Sequence, residues 1–187
     1  MMNDEGRLLS EIDARAQIHD VLVKLCQGVD RLDRDLIISC YHSDAIDNHG
    51  AFVGTPADFA DWVIGRHAGH ILSCMHFLGN EYIEIDGDTA KCESYVIAMY
   101  RFMKDGRLYD MTAPGRYLDK FEKRDGQWKI VDRLVLFEKD RHDPVIEKSI
   151  GPLTEMLVTS RRDEGDAAYA FFDRVRGDAL AGINPGG

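Results

Sequence analysis

The sequence is poor in cysteine and proline, and it has no long apolar run. It holds 4 cysteines and 5 prolines in 187 residues. Cys26, Cys40, Cys74 and Cys92 lie far apart, with no C-x-x-C pair. That spacing argues against a zinc ribbon or a disulfide framework. Free thiols buried among apolar neighbours are expected instead, in a reducing compartment. No stretch approaches the roughly 18 apolar residues of a membrane span. The opening MMNDEGRLLSEID has no apolar core of the signal-peptide kind, so a cytoplasmic location is expected. Basic residues are also in deficit, 23 against 33 acidic ones, for a formal net charge of −10. Such a surface repels nucleic acid and anionic lipid. No run of Lys and Arg offsets it; Arg161-Arg162 is followed at once by Asp163-Glu164. Neither a nucleic-acid nor a membrane partner is expected.

The chain does carry an ordinary globular composition, 44% apolar and 30% charged, at a length that suits one domain. Residues 11–29 have helical periodicity, with Ile18, Val21, Leu22, Leu25 and Val29 on one face and Ser10 as the expected cap. A second short helix fits 33–41. Residues 45–53 suit two short strands around Asn48-His49-Gly50. Pro56 opens a third helix, 56–68, capped by Thr55. Then come four long β-like runs, about 71–85, 89–104, 107–123 and 127–140, joined by turns that each contain Asp-Gly. Asp-Gly is the strongest short-range hairpin signal, so an antiparallel meander is predicted. Helices followed by such a meander make an α+β domain: a cone-shaped α+β barrel, N-terminal helices packed on a strongly curved antiparallel sheet. The domain is placed at 1–143. Residues 144–187 form a C-terminal helical arm, with helices expected near 146–157 and 167–175, packed on the same domain or on a neighbouring subunit.

Singly, the polar candidates have ordinary explanations. Asp30 lies in DRLDRD, a charge cluster that begins the second helix with Asp33 as its cap. His76 lies on an apolar strand, where an imidazole usually finds a structural partner. Arg133 alternates with Val131, Val135 and Phe137, opposite a face with Trp128, Ile130 and Leu134. A salt bridge to Asp30, Glu93 or a neighbouring subunit would satisfy it. Asp47-x-His49 with His42, and His67-x-x-His70, are incomplete ligand sets, so no metal is expected. His49 is placed at the pocket mouth. Tyr41, Trp62, Tyr95 and Tyr117 are pocket-wall candidates, and Glu93 joins them if it faces inward.

Four segments together resemble a known family: the first helix running into Gly28-Val29-Asp30; Tyr41-His42-Ser43-Asp44-Ala45; Met75-His76-Phe77-Leu78-Gly79-Asn80; and Arg124-Asp125-Gly126-Gln127-Trp128-Lys129-Ile130. Over about residues 8–140 the chain resembles the SnoaL-like branch of the nuclear transport factor 2-like superfamily. Within it the likeness is to the hexachlorocyclohexane dehydrochlorinase and scytalone dehydratase group. The resemblance implies a pocket in which Asp30 orients His76, the His acts as base, and Arg133 is a third member. It implies a cofactor-independent lyase of dehydratase type, abstracting a proton from carbon of a small apolar cyclic organic ligand with β-elimination. A non-catalytic binding or assembly module, or a steroid-type double-bond isomerase, are the alternatives on the same fold. A homo-oligomer is expected, a trimer ahead of a dimer.

Overall fold

The computed structural model describes residues 3–146 and 156–176. Helix α1 spans Asp4–Arg31, α2 Arg34–Ser39, and strand β1 Tyr41–Asn48. β2 (Val53–Gly54) and α3 (Pro56–His67) follow. The long strands are β3 (Ile71–Asp86), β4 (Thr89–Lys104), β5 (Arg107–Arg124) and β6 (Gln127–Phe137). β7 (Arg141–Pro144) and α4 (Ala167–Arg176) complete the described elements.

Helix α1 begins about two turns before the expected start. Asn3, not Ser10, is its cap: the Asn3 side chain accepts from the Gly6 N–H at 2.9 Å. Asp4 and Glu5 in the first turn favour the positive end of the helix dipole. At the other end Leu32 adopts φ 58°, and its N–H reaches back to Gly28 and Val29. Asp33 then caps α2 by accepting from Leu36 N–H at 3.0 Å. Gly28 allows the two helices to approach: a Cβ there would lie 2.8 Å from Ile37 Cγ1.

β3 to β6 form the predicted meander. Asp105-Gly106 and Asp125-Gly126 turn with positive φ at both central residues, as a type I′ turn requires. The sheet order is β2-β1-β6-β5-β4-β3, with β7 paired to β5 beyond the end of β6. β1 joins β6 in parallel, a pairing the meander pattern did not predict. The sheet curls without closing, and α1, α2 and α3 cover its concave face, which makes the α+β cone. The core joins Ile18, Leu22 and Leu25 of α1, Phe59 of α3, and Phe121, Trp128 and Ile130 of the sheet.

The expected faces of β6 need one correction. Pairing shifts at Val131, since Ile130 faces Phe121 while Asp132 faces Lys120. This bulge resets the alternation. Trp128 and Ile130 before it, and Arg133 after it, are therefore all buried on the inner face. In the tail, helix α4 stands where 167–175 was expected. Most of the helix expected near 146–157 lies outside the described residues.

Candidate active site

Asp30 and His76 meet where the last turn of α1 crosses β3. Asp30 Oδ1 lies 2.7 Å from His76 Nδ1, and Oδ2 accepts the backbone N–H of His76 at 3.1 Å. One carboxylate thus holds both the ring and the main chain of the same residue. A carboxylate only accepts, so Nδ1–H donates to Asp30, and Nε2 is the ring nitrogen that Asp30 leaves free. Nε2 lies 3.4 Å from the Tyr100 hydroxyl, and His76 lines a cavity of about 200 Å³. Burial raises the Tyr100 hydroxyl well above its ordinary range, so it stays a neutral phenol.

The surroundings keep this pair in place. Cys74 donates its thiol proton to Asp30 Oδ1 at 3.3 Å. Burial, then the Asp30 charge, pushes that thiol up, so it remains protonated. Arg162 reaches in from the tail and donates to the carbonyls of Val29 (3.1 Å), Asp30 (2.9 Å) and Ile71 (3.2 Å). It also donates to His67 Nδ1 at 3.0 Å. This guanidinium sits at the negative end of the α1 dipole and ties α1 to the start of β3. Burial, then the Arg162 charge, lowers His67 to about 4, so its imidazole is neutral.

A second polar cluster stands on β1, β5 and β6. Arg133 donates Nε and Nη2 to the two oxygens of Asp119, at 2.6 and 2.7 Å. Both side chains are buried, and the guanidinium carbon lies 4.1 Å from the centre of the Tyr117 ring. Burial works against the Arg133 charge, but the Asp119 carboxylate beside it holds the guanidinium protonated. Burial pushes Asp119 up, and Arg133 opposes that shift. Next to this pair, fully buried Asp47 accepts from the Tyr41 hydroxyl at 2.5 Å and pairs with His49 Nδ1. The His49 ring stacks on Phe59 at 4.5 Å between centroids.

His49, Trp62, His76, Tyr117 and Arg133 line the same cavity. Tyr41 does not line it; it sits behind His49, bonded to Asp47. Glu93 and Tyr95 are corrections. On β4 the inward positions are Val96, Ala98 and Tyr100, so strand alternation sends Glu93 and Tyr95 outward. Glu93 pairs with Arg116 at 2.7 Å, and Tyr95 is half exposed with that Arg over its ring. Arg133 pairs with neither Asp30 nor Glu93 but with Asp119, which sequence reasoning missed. The signal was present, for Asp119 alternates with Tyr117 and Phe121 on one face. Arg162 and the placement of Cys74 beside the dyad were missed as well.

Asp30, Cys74 and His76 bring potential metal-ligand atoms within 4.8 Å of one another, the one such set among the described residues. The trio is joined by hydrogen bonds from protonated groups, and a metal would have to displace the Cys74 proton.

A curled sheet capped by helices around one acid–base cavity defines a cone-shaped α+β pocket protein. Residues 10–134 match the SnoaL-like domain, and the chain belongs to this family. No curated protein matches it significantly by sequence. Among solved structures, it is similar to hexachlorocyclohexane dehydrochlorinase LinA-type3 from Novosphingobium barchaimii, at 18% identity and TM-score 0.64, covering 77% of this chain and 98% of the other. A provisionally assigned scytalone dehydratase from Novosphingobium aromaticivorans shows 20% identity and TM-score 0.63, covering 75% and 95%. A Mycobacterium tuberculosis protein of unknown function shows 18% identity and TM-score 0.61 and covers 93% of each chain. At these identities the likeness is one of fold. No described helix is long and apolar enough to cross a membrane.

Proposed function

We propose that the protein is a lyase that removes a proton from carbon and expels a β leaving group. The observation that carries this reading is the Asp30–His76 bond of 2.7 Å on the wall of an apolar cavity. His76 Nε2 is the base; Asp30 fixes its tautomer and stabilises the imidazolium that forms. Arg133 spends Nε and Nη2 on Asp119. Its remaining Nη1 anchors the substrate oxygen on which negative charge develops. The reaction so written draws on the chain's own side chains. Leu25, Val29, Phe59, Trp62, Val96 and Val135 give the cavity an apolar lining that suits a small cyclic organic ligand. Resemblance to a dehydrochlorinase and a dehydratase fold supports the same reaction class.

The test is turnover of 3-hydroxycyclohexanone, followed by the absorbance of the enone product. His76→Ala should slow it by roughly 10²–10⁴-fold, the contribution of a general base. Asp30→Asn should act in the same direction. Full turnover in both variants would overturn the proposal.

The protein is proposed to work as a homo-oligomer in a reducing compartment, a trimer ahead of a dimer. Met75, Phe77, Tyr95 and Ile97 expose apolar surface on the outer face of β3 and β4, a surface that a second copy would cover. Its four cysteines are free thiols. Light scattering coupled to size exclusion should give a mass near three chains; a monomer at micromolar concentration would contradict this.

A further inference from the structure

The wall of the cavity is one-sided in its ionisable groups. The chain carries 33 acidic residues against 23 basic ones, yet no carboxylate is among the described residues that line the cavity. His49, Arg66, His67, His76 and Arg133 do line it. The acids stand one layer back, Asp30 on His76, Asp47 on His49 and Asp119 on Arg133. Arg66 differs from the other basic residues. It lies in the last turn of α3, exposed to solvent, with its guanidinium carbon 5.6 Å from the centre of the Trp62 ring. Among the described residues no carboxylate pairs with it. Asp61 of the same helix is held instead by Arg34 at 2.7 Å. A cation in a last helical turn suits the helix dipole, and a guanidinium over an indole is ordinary packing. Neither accounts for an open guanidinium on the wall of an apolar cavity in an acidic protein. Its charge also reaches inward. Burial raises the Tyr100 hydroxyl and the Arg66 charge opposes that rise, while burial and then Arg162 lower His67 and Arg66 adds to the effect. Tyr100 is the group 3.4 Å from His76 Nε2.

We propose that the cavity takes a small cyclic carboxylate, with its ring on the apolar wall and its carboxyl group bound by Arg66 at the mouth. A guanidinium presents a planar fork of donors that matches the two oxygens of a carboxylate. Stacking on Trp62 holds that fork at the rim, so less side-chain freedom is lost on binding. The absence of carboxylates from the described wall removes the like charge that would repel such a ligand. An acidic outer surface sharpens the contrast, because a cavity of the opposite sign draws the anion to one place. Leu25, Val29, Phe59 and Val96 supply the apolar contact for the ring. Naming the substrate class, though not the binding itself, rests on the lyase reading above: the substrate is then a ring that bears this carboxylate in addition to its leaving group. The carboxylate takes no part in bond breaking. It fixes which way the ring enters, and Arg66 acts as a specificity residue.

Titration calorimetry of the full chain at pH 7 with two unreactive probes of one shape, cyclohexanecarboxylate and cyclohexanecarboxamide, tests the site. The carboxylate should bind about tenfold more tightly than the amide, the contribution of a hydrogen bond to a charged group. Raised salt should weaken the carboxylate and leave the amide unchanged. Arg66→Gln should abolish the tenfold preference while keeping the amide within about twofold of wild type; Arg66 is exposed, so the substitution leaves the fold intact. Arg66→Lys keeps the charge and should keep part of the preference. Equal affinity for the two probes in the wild type, a preference that survives Arg66→Gln, or no binding of either probe at millimolar concentration would each overturn the proposal. Neither probe reacts, so these outcomes do not depend on catalysis. Absence of deuterium exchange at C2 of 3-hydroxycyclohexanone in the wild type would instead defeat the lyase reading, and the calorimetry would still decide the carboxylate site.

Discussion

Replacing Asp119 by Asn keeps the side-chain shape and deletes one charge. Arg133 would then stand at 3% exposure with no carboxylate on its Nε and Nη2. The bidentate pair at 2.6 and 2.7 Å is buried on both sides, so water cannot replace the lost partner. Removing one member of a buried pair costs about 3–5 kcal/mol. For a chain of this size each kcal/mol moves Tm by roughly 2–4 °C, so a fall of about 6–20 °C is expected. Circular dichroism melts at pH 7, with urea midpoints as a second measure, read this directly. The double variant Asp119→Leu/Arg133→Met should recover most of the loss, because it leaves no orphaned charge. A loss under about 1 kcal/mol, the range of exposed pairs, would refute the picture of a desolvated cluster.

Two other outcomes follow from the tail and from His67. Arg162→Ala removes the bonds that tie α1 to β3 and should lower kcat on the elimination probe by up to roughly 10²-fold, the cost of misplacing a catalytic group by about 1 Å. Added guanidinium should restore part of that loss, and unchanged kcat would show that the tail does not position the dyad. His67, buried and lowered to about 4 from 6.5, is neutral in the folded chain while the unfolded chain takes up a proton below 6.5. Its contribution to stability is therefore full above pH 6.5 and is lost as pH falls toward 4. His67→Asn keeps an acceptor for Arg162 and should flatten that part of the Tm–pH curve; an unchanged slope would contradict the assignment.

The long strands were legible because Asp-Gly turns act locally. Asp125 and Gly126 must both take positive φ, and few residue pairs do so readily. The start of α1 was hidden for the opposite reason. Leu8, Leu9 and Ile12 are exposed, so the first turns bury no periodic face, and only the Asn3 cap marks the beginning. β7 is four residues of mostly charged or polar character held by main-chain pairing to Tyr109–Thr112, which leaves no pattern in its side chains.

The site was legible in part. Asp30 and His76 are 46 positions apart, and each alone reads as structural. Their joint fit to one motif pattern singled them out, and the structure brings them to 2.7 Å. Glu93 and Tyr95 failed on parity, since one-residue alternation decides which face a strand residue serves. The bulge at Val131, which carries Arg133 to the inner face alongside Ile130, depends on pairing with β5 and has no local signature. Arg162 was beyond reach because it recognises three main-chain carbonyls, and these carry no sequence identity.

The proposed lyase stands or falls on whether His76 takes a proton from carbon. Deuterium exchange at C2 of 3-hydroxycyclohexanone, followed by NMR in deuterium oxide, measures that step alone. Wild-type protein should catalyse the exchange, and His76→Ala should lose it by at least roughly 10²-fold. Exchange at the wild-type rate in His76→Ala would contradict the assignment of His76 as the base.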